Sequence, residues 1–182
     1  CANGLARAEE APKVLSQIME SGPAKCQPYF MHFAFEALER TGLYDAWATR
    51  QMRRWKVFPE TQSFFEMWDT GDLSHAWQCT PTYQLSARVL GVSPMAPGFK
   101  KVQIQPRPCD LTWAKGTVPT PHGPVTVSWE KKGSEFLVKG KVPKGSTATS
   151  PPARRGTDGD RPPGPPSPHL AGRRGEARDS LG

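Results

Sequence analysis

The sequence predicts helices first and antiparallel strands afterwards, in separate domains, with a disordered tail behind them. Three observations predict it. Apolar residues recur at helical spacing as far as Gly91, they alternate in short runs from Val102 to Val142, and the pattern stops at about Ser150. Helices segregated from strands along a chain mean segregated layers in space. The expected units are residues 1–96, 97–149 and 150–182.

Leu5, Ala8, Val14, Leu15 and Ile18 give an irregular helical face, interrupted at Pro12 and ended by Gly22-Pro23. Pro28 stands where the next helix begins. Phe30, Phe33, Ala34, Ala37 and Leu38 follow at helical spacing, and Met31 and Phe35 make the opposite face apolar too. Such a helix is expected to be buried on nearly all sides. After Thr41-Gly42, a stripe of Tyr44, Trp47, Ala48, Met52 and Trp55 predicts a third helix, with Arg50, Arg53 and Arg54 on its wet side. Phe58 to Asp72 reads as a loop with a short helix. Thr80-Pro81 reads as an N-cap and first helical proline, and Gly91 as the residue that ends that helix.

Strands are expected at Val102–Gln105, Leu111–Val118, Val125–Glu130 and Phe136–Val142, with breaks at Pro121-His122-Gly123-Pro124 and Lys131-Lys132-Gly133-Ser134. Beyond Ser150 the Pro, Gly and Arg clusters offer nothing to bury, so residues 150–182 are expected to be disordered.

Of the 182 residues, 36% are hydrophobic, an average that hides a greasy front and a polar end. The net charge of +7 is scattered over Arg53-Arg54, Lys100-Lys101, Lys131-Lys132 and the tail, with acidic residues between and no nucleic-acid motif. No nucleic-acid partner is inferred. No apolar run approaches the ~20 residues that span a bilayer, so no membrane partner is inferred either. Cys1, Cys26, Cys79 and Cys109 show no short paired spacing. They read as reduced thiols, and a cytoplasmic location is preferred to a secreted one. No ligand cluster for a metal is visible, and no cofactor is expected.

The informative stretch runs from Glu60 to Gly98. It holds Phe64-Phe65-Glu66-Met67-Trp68-Asp69, then Ser74-His75-Ala76-Trp77, then Val89-Leu90-Gly91-Val92-Ser93-Pro94 and Ala96-Pro97-Gly98-Phe99. In order and spacing it resembles the end of the catalytic barrel in bacterial α-L-rhamnosidases of glycoside hydrolase family 78. Pro28-Tyr29-Phe30-Met31-His32-Phe33 is similar to a helix of that barrel. Leu111-Thr112-Trp113-Ala114-Lys115-Gly116 and Thr120-Pro121-His122-Gly123-Pro124-Val125 look like the family's C-terminal β-sandwich. The resemblance covers roughly residues 1–148. One departure is Phe65, where the family usually has Trp.

The resemblance implies the terminal helices of an (α/α)6 six-hairpin barrel followed by an antiparallel β-sandwich. It implies an inverting hydrolase for terminal α-L-rhamnose, with a rhamnose-containing glycoside or oligosaccharide as substrate. Such chemistry uses a protonated acid on the leaving oxygen and an ionised base that activates water on the other face. Glu66 matches the family's general base. The general acid is expected on an N-terminal part of the same polypeptide, absent here, so this fragment alone is expected to be inactive. His75 matches a family histidine that contacts the sugar. Trp68 and Trp77 serve on this reading as apolar walls for the rhamnose methyl group and ring face.

Each assignment has a plainer counterpart. Glu66 among aromatic residues also reads as a surface or capping residue, His75 as a histidine satisfied by backbone near a helix start, and the two tryptophans as core. Glu60 reads as a first-turn residue, Asp69 and Asp72 as turn residues, and His32 and His122 as structural and surface residues. The alternative functions are a non-catalytic carbohydrate-binding or structural module, and another six-hairpin glycosidase or glycoside phosphorylase.

Overall fold

The computed structural model describes residues 7, 9–20, 26–58, 60–68, 71–73 and 75–150. The disorder expected of residues 150–182 falls, beyond Ser150, on residues that lie outside the described ones, as do residues 1–6.

Helix α1 spans Ala11–Glu20 and buries Ala11, Leu15 and Met19. Pro12 stands in its first turn, where a missing N–H costs nothing, and Leu5 and Ala8 of the expected helical face lie outside the described residues. Helix α2 spans Pro28–Arg40, and Thr41 closes it with its Oγ1 donating to the Ala37 carbonyl at 2.9 Å. Its burial is one-sided. Met31, Phe35 and Leu38 are sealed, whereas Phe30 is 59% and Phe33 41% exposed, so the expectation of all-round burial is corrected. Helix α3, Tyr44–Met52, buries Tyr44, Trp47 and Ala48 against α2.

Helix α4 begins at Thr80 and runs to Gln84, then widens into a π-helical turn over Leu85–Val89. The Leu90 N–H donates to the Leu85 carbonyl at 2.8 Å, one residue further back than an α-helix allows. Thr80 is not the cap expected of it: Cys79 occupies that position, and Thr80 Oγ1 pairs with His32 Nδ1 at 3.2 Å. Gly91 follows at φ +86, and a Cβ there would lie 2.3 Å from the Gln105 carbonyl carbon. Only glycine lets the strand behind it pass so close.

Six short strands are described. β1 (Val92–Pro94), β2 (Lys101–Ile104) and β6 (Thr147–Thr149) form one sheet in the order β1-β2-β6. β3 (Trp113–Val118), β4 (Val125–Lys132) and β5 (Glu135–Lys141) form the other in the order β3-β4-β5. Four strands were foreseen in place. β1 and β6 were not, because a three-residue strand carries too little alternation to be seen. β2 and β6 run parallel, which corrects an all-antiparallel expectation; the other strand pairs are antiparallel.

The sheets enclose Leu90, Val92, Val102, Ile104, Val125 and Val127. Trp129, two residues on from Val127, belongs instead to the helical core with Phe35, Leu38, Tyr44 and Val89. A half-buried charge cluster lies along the same seam. Arg107 meets Glu39 at 2.6 Å, and Arg88 meets Glu36 at 3.1 Å. Helices and sheets therefore share side chains across their junction.

Candidate active site

The segment Phe58–Gln78 carries all four candidate residues. The short helix foreseen within Phe58–Asp72 is absent from the described residues of that stretch. Two antiparallel bridges, Phe58 with Ser63 and Phe65 with Leu73, fold it into successive loops. Glu66 lies just inside the second bridge, its N–H donating to the Asp72 carbonyl at 2.9 Å. Gly71, at φ +99, faces it across the turn. A Cβ on Gly71 would lie 2.9 Å from Glu66 Cβ and 3.1 Å from Oε2. A glycine is therefore required both by the backbone and by the carboxylate folded over it.

His75 and Trp77 are brought together, and the contact fixes the imidazole. Nδ1 of His75 accepts the Trp77 N–H at 3.1 Å, capping the turn Ala76–Gln78. In a neutral ring the accepting nitrogen carries no proton, so Nε2 carries it and is left as a donor. The two rings meet edge to face with centroids 5.4 Å apart. Trp77 is 48% exposed and stacks on Tyr29 of α2 at 4.2 Å with a 22° tilt. Tyr29 stands in the Pro28–Phe33 segment, but nothing local pairs it with Trp77, 48 positions away.

Trp68 has different surroundings. Its Nε1 donates to the Cys26 carbonyl at 2.7 Å, its ring meets Trp55 edge to face at 4.7 Å, and the Arg54 guanidinium lies 4.1 Å above it. These contacts are those of a residue that anchors the loop to the helices. Gln78, fully buried, is a second anchor: its side-chain Nε2 donates to the Phe64 carbonyl at 2.7 Å, and its backbone carbonyl accepts from Trp55 Nε1 at 2.9 Å. Among the described residues no hydrogen bond joins the Glu66 carboxylate to His75, and no group of three His, Cys, Asp or Glu side chains is placed to hold a metal ion.

The segment offers a carboxyl group in a tight turn at Glu66 and, apart from it, an imidazole N–H donor at His75 beside the stacked rings of Trp77 and Tyr29. Behind it, the sequence profile of the bacterial α-L-rhamnosidase C-terminal domain matches residues 91–156, beginning at Gly91. An α-L-rhamnosidase of an Alteromonas species is 34% identical over 97 residues, 53% of this chain and 10% of the relative. One of Formosa agariphila is 31% identical over 102 residues, 56% of this chain and 11% of the relative. The crystal structure of the family 78 rhamnosidase of Bacillus sp. GL1 superposes with a TM-score of 0.58 at 26% identity, over 76% of this chain and 17% of that one. The chain is related to the α-L-rhamnosidases of glycoside hydrolase family 78.

The likeness in fold extends to the rhamnosidase of Aspergillus terreus, with a TM-score of 0.59 at 20% identity over 79% of this chain and 19% of that one. The chain spans about a tenth of the length of its curated rhamnosidase relatives. Among the described residues no helix is long and apolar enough to cross a membrane.

Proposed function

We propose that this chain is the C-terminal portion of an inverting α-L-rhamnosidase that removes terminal α-L-rhamnose from glycosides or oligosaccharides, and that Glu66 is its general base. The observation that carries the reading is Glu66 held against Gly71, in the loop that leads through His75 and Trp77 into the rhamnosidase-type C-terminal region. An ionised carboxylate in that turn takes a proton from water as the water attacks the anomeric carbon. The C–O bond to the aglycone breaks on the opposite face, where an acid protonates the leaving oxygen. Inversion needs the two carboxyl groups ~6.5–9.5 Å apart, with the water between the base and the sugar.

The acid is supplied on this reading by a preceding part of the same polypeptide. The exposed apolar side of α2, Phe30 and Phe33, and the exposed Tyr83 and Leu85 beside it fit that arrangement. They form the surface against which further helices of an (α/α)6 barrel would pack. His75 Nε2–H would donate to a sugar hydroxyl, and Trp77 would give the ring or its methyl group an apolar face. Residues 97–149 act in stability and not in chemistry.

Proton NMR of the first-formed sugar tests this reading. The complete polypeptide should release rhamnose of inverted anomeric configuration from an α-L-rhamnoside, and the 182-residue chain alone should release none. Retained configuration, or turnover by the chain alone, would overthrow the two-carboxylate assignment.

A further inference from the structure

Strand β5 is bonded to a neighbour on one side. The order β3-β4-β5 leaves its outer edge without a strand among the described residues, and all seven of its residues are exposed. The register shows which groups that edge presents. The Lys131 N–H donates to the Thr112 carbonyl across the β3–β4 pair at 2.8 Å. Hydrogen-bonded and non-bonded pairs alternate along an antiparallel ladder, so odd-numbered residues of β4 bond toward β3 and even-numbered ones toward β5. Thr126 with Lys141, Ser128 with Lys139 and Glu130 with Leu137 are then the bonded pairs of β4 and β5. The N–H and C=O groups of Phe136, Val138 and Gly140 consequently point outward from the sheet edge.

The same three residues lie on the core face of the sheet, opposite Lys131, Trp129 and Val127. Phe136 and Val138 are each 38% exposed, and they line an open cleft of about 460 Å³ whose walls are part apolar, at Ile104 and Pro106, and part charged, at Arg107, Lys131 and Glu135. An exposed row of backbone N–H and C=O groups on an edge strand is the feature that draws in another strand.

We propose that this edge is a self-association surface, occupied by β5 of a second copy of the chain in antiparallel register centred on Val138. The strand Glu-Phe-Leu-Val-Lys-Gly-Lys is self-complementary in that register. Glu135 faces Lys141 at both ends. Phe136 faces Gly140 twice. Leu137 faces Lys139, and Val138 meets its own counterpart. Opposite charges directly across a sheet stabilise it and like charges destabilise it. A slip that centres the pair on Gly140 sets Lys139 against Lys141 and is disfavoured for that reason. The two three-stranded sheets then join as one of six strands. This inference is independent of the catalytic role of Glu66.

Sedimentation equilibrium of the whole chain over a dilution series tests it. The expected mass is twice that of one chain at high concentration, falling to that of one chain on dilution. Glu135→Lys alone sets Lys against Lys at both ends, and Lys141→Glu alone sets Glu against Glu. Each should weaken the dimer on the order of tenfold. An equimolar mixture of the two variants should pair at least as well as the wild type, because both ends are again opposite in charge. That recovery cannot arise if the substitutions merely unfold the strand. A wild-type mass of one chain at every concentration, growth beyond two copies, or no recovery in the mixture would each overturn the proposal.

Discussion

The indole N–H of Trp129, on strand β4, donates to the carbonyl of Val89 at 2.9 Å, at the end of the π-helical turn. One bond thus ties the sheets to the helix that follows the candidate site. The side chain is 2% exposed and lies in the helical core. Its loss leaves both a large cavity and a buried carbonyl without its donor. Trp129→Ala is expected to lower stability by ~3–5 kcal/mol, and Trp129→Phe by a smaller amount that includes the lost bond. Urea denaturation of the two variants separates the terms. Unchanged midpoints would remove Trp129 from the core.

Thiol reactivity offers a second check on the same junction. Cys109 is pushed up to about 12, first by burial and then by the nearby Asp45 carboxylate. A thiol held protonated is a poor nucleophile. Cys79 is exposed. Iodoacetamide at mildly alkaline pH should therefore modify Cys79 in the native protein and reach Cys109 only after denaturant is added. Peptide mass spectrometry reads the order, and equal rates in the native state would contradict the packing around Cys109.

How much of this was legible in the sequence follows from the physics of each element. The stripes of α2 and α3 and the alternation of β4 were visible because each has enough residues for a period to repeat. The exposed side of α2 was misread because apolar residues there look the same whether this chain or another segment covers them. β1 and β6 are too short to show a period. Around the site, Glu66, His75 and Trp77 stood out through their order along the chain. The stacking of Tyr29 on Trp77 and the anchoring of the loop by Gln78 depend on tertiary contact, and no local signal announces such contacts. Trp68 also stood out by its place in a motif, and its hydrogen bond to Cys26 and its contact with Arg54 are likewise tertiary contacts without a local signal.

His75 is expected to act in binding through its Nε2–H, since Nδ1 is occupied by the Trp77 backbone. In the complete polypeptide, His75→Ala should raise KM and also lower kcat if the hydroxyl contact tightens in the transition state. His75→Gln keeps a donor near the same place and should recover part of the loss. Kinetics of His75→Ala equal to wild type would leave the residue a turn cap only.

The central claim is that Glu66 removes the proton from the attacking water. Glu66→Gln keeps the shape beside Gly71 and removes the charge. Steady-state kinetics of this variant in the complete polypeptide is the most direct measurement. The account predicts a ~10²–10⁴-fold fall in kcat with KM little changed. It also predicts partial recovery by azide, an anion that needs no base, yielding a rhamnosyl azide of inverted configuration. A Glu66→Gln enzyme that turns over at the wild-type rate would contradict it.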